Sequence, residues 1–149
     1  MMDKKLELKD IVLIGRTFEE YYKMFVLDKI NLKAEKILDV ASGVSSFCSE
    51  ANSKGYNVTA SDKIYHFSAK EIEEKCITDL KMVMEKLPLV SDLYKWKFFK
   101  DIDALKENRE RAYKLWFFRN KVEVKKLSLI KFRNYNEIKG CIEFQPYLV

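Results

Sequence analysis

Glycine and proline are scarce in this chain, four and two among 149 residues, and no Gly-X-Y or heptad repeat runs through it. Collagen-like and coiled-coil classes are thereby excluded. The three cysteines, Cys48, Cys76 and Cys141, show no CxxC spacing, and an odd number cannot all pair within one chain. They read as small core residues, and the single histidine, His66, as a turn or helix-entry residue, so no metal site is expected. Apolar runs are short, too. Nothing approaches the ~18 residues of a membrane span, and the charged opening leads only into Ile11-Val12-Leu13-Ile14. A cytoplasmic protein without a membrane partner is the expectation.

What is present suits a globular domain. At 48% hydrophobic and 34% charged, the chain is too apolar for disorder, and its length fits a single core. The net charge of +5 comes mostly from the tail. Arg119, Lys121, Lys125, Lys126, Lys131, Arg133 and Lys139 there face only Glu123, Glu137 and Glu143. Trp116, Phe117, Phe118, Phe132 and Tyr135 lie among these cations, as an RNA-binding surface could have them, although core aromatics behind a solvated strand face are the more ordinary reading. A non-enzymatic basic nucleic-acid-binding module is therefore the alternative function.

Along the chain, Thr17-Phe18-Glu19-Glu20 has the spacing of a capping box and predicts a helix from about Phe18 to Asp28. Residues 36–41 read as a buried strand that runs into Ser42-Gly43-Val44-Ser45-Ser46. A helix from about Ser45 to Lys54 follows, with Phe47, Cys48 and Ala51 inward and Gly55 as its stop. Residues 56–61 form a second strand ending at Asp62, and adjacent parallel pairing is predicted because the connection is short and both strands are apolar. Ser68-Ala69-Lys70-Glu71 is a second capping box, opening a helix with Ile72, Cys76, Leu80, Val83, Met84 and Leu87 on one face and Pro88 at its end. The alternating aromatics of 94–99 suit a short strand or a packed loop. A helix from about Asp103 to Phe118 comes next, and from Lys121 the pattern becomes strand-like.

The stretch 36–64 carries the chemistry. A strand turning through small residues into a helix lets a ligand approach the backbone and the helix N-terminus, and Asp62, at the end of the next strand, can accept from two ribose hydroxyls. Asp62 has no evident structural partner, so its loss should change unliganded stability little. The carboxylate of Asp39 ahead of the loop disfavours a diphosphate, hence a dinucleotide. A plain strand-turn-helix without a ligand is the bland reading.

These residues resemble the first half of a class I S-adenosylmethionine-dependent methyltransferase, whose first strand ends in an acidic residue and a D/E-x-G-x-G-x-G-like loop. Of those glycines only Gly43 stands here, with Ala41 and Ser45 at the flanking places, where a Cβ disfavours positive φ. Residues 14–21 are also similar to the N-terminal helix of a bacterial branch of that family. The resemblance implies S-adenosylmethionine as cofactor, with Asp39, Ala41, Ser42 and Gly43 around its methionine end, Asp62 on the ribose and Lys63 beside it. It names no catalytic residue and no acceptor.

The expected fold is α/β, a partial Rossmann-like and mostly parallel sheet with a helical insertion after the second strand. Within one domain of 149 residues, 1–35 is an N-terminal helical segment, 36–64 the cofactor-binding β-α-β unit, 65–119 the insertion and 120–149 a basic strand-rich tail. A β-α unit takes roughly 25 to 30 residues, so about two units fit outside the helices. A shortened or frameshifted relative with reduced or absent activity is expected, self-associating through an exposed sheet edge.

Overall fold

The computed structural model describes residues 11–123. Their order is an extended segment, helix α1 (Phe18–Met24), strand β1 (Lys36–Val40), helix α2 (Phe47–Ser53), strand β2 (Asn57–Ser61), helix α3 (Ala69–Lys86) and helix α4 (Ile102–Glu123). The architecture is mixed α/β. β1 and β2 are parallel neighbours, with Lys36 opposite Asn57 and Val40 opposite Ser61, as their apolar pattern predicts. The strand-like run expected from Lys121 begins instead inside α4, whose backbone stays helical to Glu123. The remainder of the basic tail, with the strands expected there, the cations from Lys125 onward and Cys141, lies outside the described residues.

Both capping boxes close. Thr17 Oγ1 accepts the Glu20 N–H at 3.4 Å while Glu20 Oε2 accepts the Thr17 N–H at 2.9 Å, and Ser68 and Glu71 repeat the exchange. The helix expected to reach Asp28 stops at Met24. At Val26 the chain turns through φ 51°, a left-handed conformation that crowds a β-branched side chain, and then forms a single 3-10 turn. Phe25 and Val26 are consequently exposed. Pro88 changes the helix type rather than ending helicity. It sits in the first turn of a 3-10 stretch, Leu87–Leu93, where its missing N–H is not needed. The aromatics of 94–99 form bends and turns, with no strand.

Two apolar clusters hold these elements. In one, Phe47, Ala51 and Val58 pack with Phe18, Tyr21 and Ile37. The Phe47 ring stacks on Tyr21 at 4.5 Å and Phe18 at 5.6 Å, pairs worth about 0.5–1.5 kcal/mol each beyond their buried area. This cluster covers one face of the two strands. In the other, Leu13 and Val44 meet Ile72 and Cys76 of α3 and Trp116 and Phe117 of α4. Burial pushes the Cys76 thiol up to about 12, as befits an unreactive core group.

The extended segment is pinned on three sides. The Leu13 N–H donates to Asp79 of α3 at 2.7 Å, Arg109 of α4 donates to the Gly15 carbonyl at 3.2 Å, and the Arg16 carbonyl accepts from Ser45 and Ser46. Gly15 is obligatory by contact, since a Cβ there would stand 2.1 Å from the Val44 carbonyl oxygen. Arg109 also reaches Glu20, at 2.6 and 2.7 Å to its two oxygens, and both residues are buried. Such a pair adds little net stability, but losing one partner strands a buried charge at about 3–5 kcal/mol. Its effect is to fix α4 against the turn that enters α1. No helix among the described residues is long and apolar enough to cross a membrane.

Candidate functional site

Where β1 ends, the chain reverses through Ala41-Ser42-Gly43. Ala41 takes φ 57° and Gly43 φ 56°, so the position expected to resist a left-handed backbone adopts one nonetheless. Ser45, at the other non-glycine place, needs no such conformation. Its hydroxyl is used, donating to the Arg16 carbonyl at 2.7 Å. The loop faces a cleft of about 720 Å3, lined by the extended segment, the loop itself and residues 61–64 and 66. That volume lies within the ~300–1,000 Å3 of small-molecule sites.

Gly43 is held at both polar atoms. Its N–H donates to Asp62 Oδ2 at 2.8 Å, and its carbonyl accepts the Tyr65 hydroxyl at 2.8 Å. Asp62 Oδ1 meanwhile accepts the Ile64 N–H at 3.0 Å, capping a 3-10 turn over Lys63–His66. Asp62 thus has two structural partners, contrary to the expectation of none. Each carboxylate oxygen has two lone pairs, so both retain an acceptor place after these bonds. Above Gly43 the space is open, for a Cβ there would meet nothing nearer than Asp62 Oδ2 at 4.0 Å.

Of the residues read from the sequence, Ala41, Ser42, Gly43, Asp62 and Lys63 line this cleft together. Asp39 does not. It is buried behind the loop, accepting from Ser42 Oγ at 2.7 Å and Tyr21 Oη at 3.4 Å, and it borders a smaller groove of about 370 Å3 instead. Burial raises its carboxyl above the ordinary range, the Ser42 and Tyr21 bonds oppose that, and the charge of Asp62 adds to it. Ahead of α2 the N–H groups of Ser45 and Ser46 donate to Ser42 O and Arg16 O, and that of Phe47, its first residue, donates to Ser45 Oγ.

Sequence reasoning missed Arg16 and Tyr21 in the cleft wall and Tyr65 behind the loop. Burial, with the Asp39 charge assisting at Tyr21, pushes both phenols up to about 12, and each hydroxyl donates a hydrogen bond, Tyr21 to Asp39 and Tyr65 to the Gly43 carbonyl. Tyr21 is legible only as an apolar helix position, and Tyr65 has no periodic signal. Arg16 had one available sign, a cation beside a glycine just ahead of a capping box. His66 sits in the turn at the cleft rim, its ring against the Lys63 carbonyl.

Among the tail aromatics, Trp116 and Phe117 are core residues and Phe118 is exposed. No group of three or more His, Cys, Asp or Glu side chains placed to hold a metal ion occurs among the described residues.

No family model matches the chain, and no solved structure matches it. It is similar to a protein of Methanocaldococcus jannaschii described as uncharacterized, with 54% identity over 110 residues. The match takes in 73% of this chain and 49% of that protein, so the chain spans about half the length of this relative.

Proposed function

We propose that the cleft binds S-adenosylmethionine or its demethylated product, and that the chain is the donor-binding part of a Rossmann-like methyltransferase. The observation that carries this reading is Asp62. It stands at the end of β2, is oriented by two backbone N–H groups, faces a cleft of nucleoside size, and keeps one free acceptor place on each oxygen. Two vicinal hydroxyls are the complementary partner, and a ribose presents them.

The residues fit that ligand. Asp62 would take the ribose, Ala41 and Gly43 would lie beneath the ligand, and Lys63 stands at the rim. Asp39 acts from behind, fixing Ser42 and with it the curvature of the loop. Tyr65 keeps Gly43 from turning its carbonyl into the cleft. The donor supplies a methyl group already activated on a sulfonium, so the chain's own task is alignment and exclusion of water rather than proton transfer.

A thermal-shift titration tests this. S-adenosylhomocysteine at 100 times its Kd should stabilise the fold by about 2.7 kcal/mol. NAD at the same concentration should give no shift. A shift with NAD alone would replace the methyl-donor reading with a dinucleotide one.

A further inference from the structure

Resting on the methyl-donor reading, we infer that Arg16 is the anchor for the α-carboxylate at the ligand's amino-acid end. Its backbone is fixed more tightly than its side chain. The Arg16 carbonyl accepts from Ser46 N–H at 2.9 Å and Ser45 Oγ at 2.7 Å, while its neighbours Gly15 and Thr17 are buried. The side chain lines the cleft and is 46% exposed.

Its charge is in surplus. Arg16 Nη1 stands 3.5 Å from Glu20 Oε1, at the limit of a hydrogen bond. That carboxylate is already served by Arg109 at 2.6 and 2.7 Å, by Asn108 at 2.7 Å and by the Thr17 N–H at 2.9 Å. One carboxylate therefore lies between two guanidiniums, and the buried one holds it closely. Arg16 keeps most of its donor fork for another anion, and a planar fork matches a carboxylate in two parallel bonds.

Placement decides which anion. The Asp62 carboxylate grips the loop at Gly43, the Arg16 backbone carbonyl holds it at Ser45 and Ser46, and both residues line the one cleft, which so offers an acceptor group and a cation. A ligand with a ribose at one end and an amino-acid carboxylate at the other meets a complementary group at each. Tyr21, whose hydroxyl bonds Asp39 at 3.4 Å, lines the same cleft as Arg16.

The test compares two ligands that share adenosine and a thioether but differ in the amino-acid end, S-adenosylhomocysteine and 5′-methylthioadenosine. Calorimetry on the full chain should show Arg16→Met weakening S-adenosylhomocysteine about 10- to 100-fold, with 5′-methylthioadenosine changed less than twofold. Arg16→Lys, which keeps the charge but not the fork, should recover part of the loss. Equal losses for both ligands would assign Arg16 a merely structural role, and no loss for either would remove it from the site. If the parent chain binds neither ligand, the methyl-donor reading itself fails, an outcome distinct from either result with the variants.

Discussion

Gly43 donates its backbone N–H to Asp62 Oδ2 at 2.8 Å, joining the turn after β1 to the end of β2 across 19 positions of sequence. The bond makes one unit of the loop and the acid. It also means that a substitution at Asp62 acts on the fold as well as on any ligand.

Asp62→Ala should therefore cost about 1–3 kcal/mol of unliganded stability, the range for leaving donors without their acceptor. The Gly43 and Ile64 N–H groups both lose one. Asp62→Asn, which keeps one carbonyl oxygen, should cost less. Chemical denaturation of the two variants without ligand measures this, and an Ala variant as stable as the parent would contradict the geometry.

At Ala41 the left-handed φ of 57° costs an alanine roughly 1–2 kcal/mol, and glycine there would relieve it. Glycine also frees the unfolded chain, which returns about 0.4–1 kcal/mol of that gain. The net expectation for Ala41→Gly is a gain of about 1 kcal/mol, or about 2–4 °C in Tm for a chain of this size. Ala41 is exposed, so no packing is lost. A lower Tm in the scan would show that the loop does not hold this conformation.

The raised carboxyl of Asp39 makes a signed pH prediction. The folded state holds this proton more tightly than the unfolded state, whose value is about 3.9, so ionisation works against folding. The parent is unpenalised below the unfolded value and loses stability as pH rises through the folded one. Asp39→Asn does not titrate and keeps an acceptor for Ser42. Its Tm relative to the parent should accordingly climb from pH 3.5 to pH 7. A flat or falling difference would show that the bonds from Ser42 and Tyr21 outweigh burial.

Leu38 and Val40, 46% and 48% exposed, lie on the face of β1 opposite the Phe47 cluster, and β1 pairs with β2 alone among the described residues. Parallel strands are ordinarily covered on both faces. The isolated chain should associate as its concentration rises, and Leu38→Lys should suppress this without changing ligand affinity. Light scattering that finds the parent monomeric at all concentrations would mean that this face is covered.

The sequence was most informative where a local rule decides the structure. Thr17 with Glu20, and Ser68 with Glu71, announced helix starts to the residue, because a capping box is closed by groups three positions apart. The face of α3 was equally legible, since Ile72, Cys76, Leu80 and Val83 follow one period and are all buried. Long-range pairing was not. Glu20 reads as a cap, yet it also holds Arg109, 89 positions away, and nothing periodic marks that arginine as buried. The continuation of α4 through Val122 runs against the β-branched pattern, as local propensity yields to context. At the site, the small-residue turn and Asp62 were visible, whereas the placement of Asp39 behind the loop depends on Tyr21 and Ser42 folding over it.

In the proposed function Asp62 holds the ribose of an adenosine-containing methyl donor. Calorimetric titration of S-adenosylhomocysteine into the parent chain and Asp62→Asn, at a temperature where both are folded, tests it most directly. The parent should show one site, and the variant an affinity weaker by about 1.5–3 kcal/mol, the range for charge-assisted hydrogen bonds. Equal affinity in the two proteins, or no binding to the parent, would contradict it.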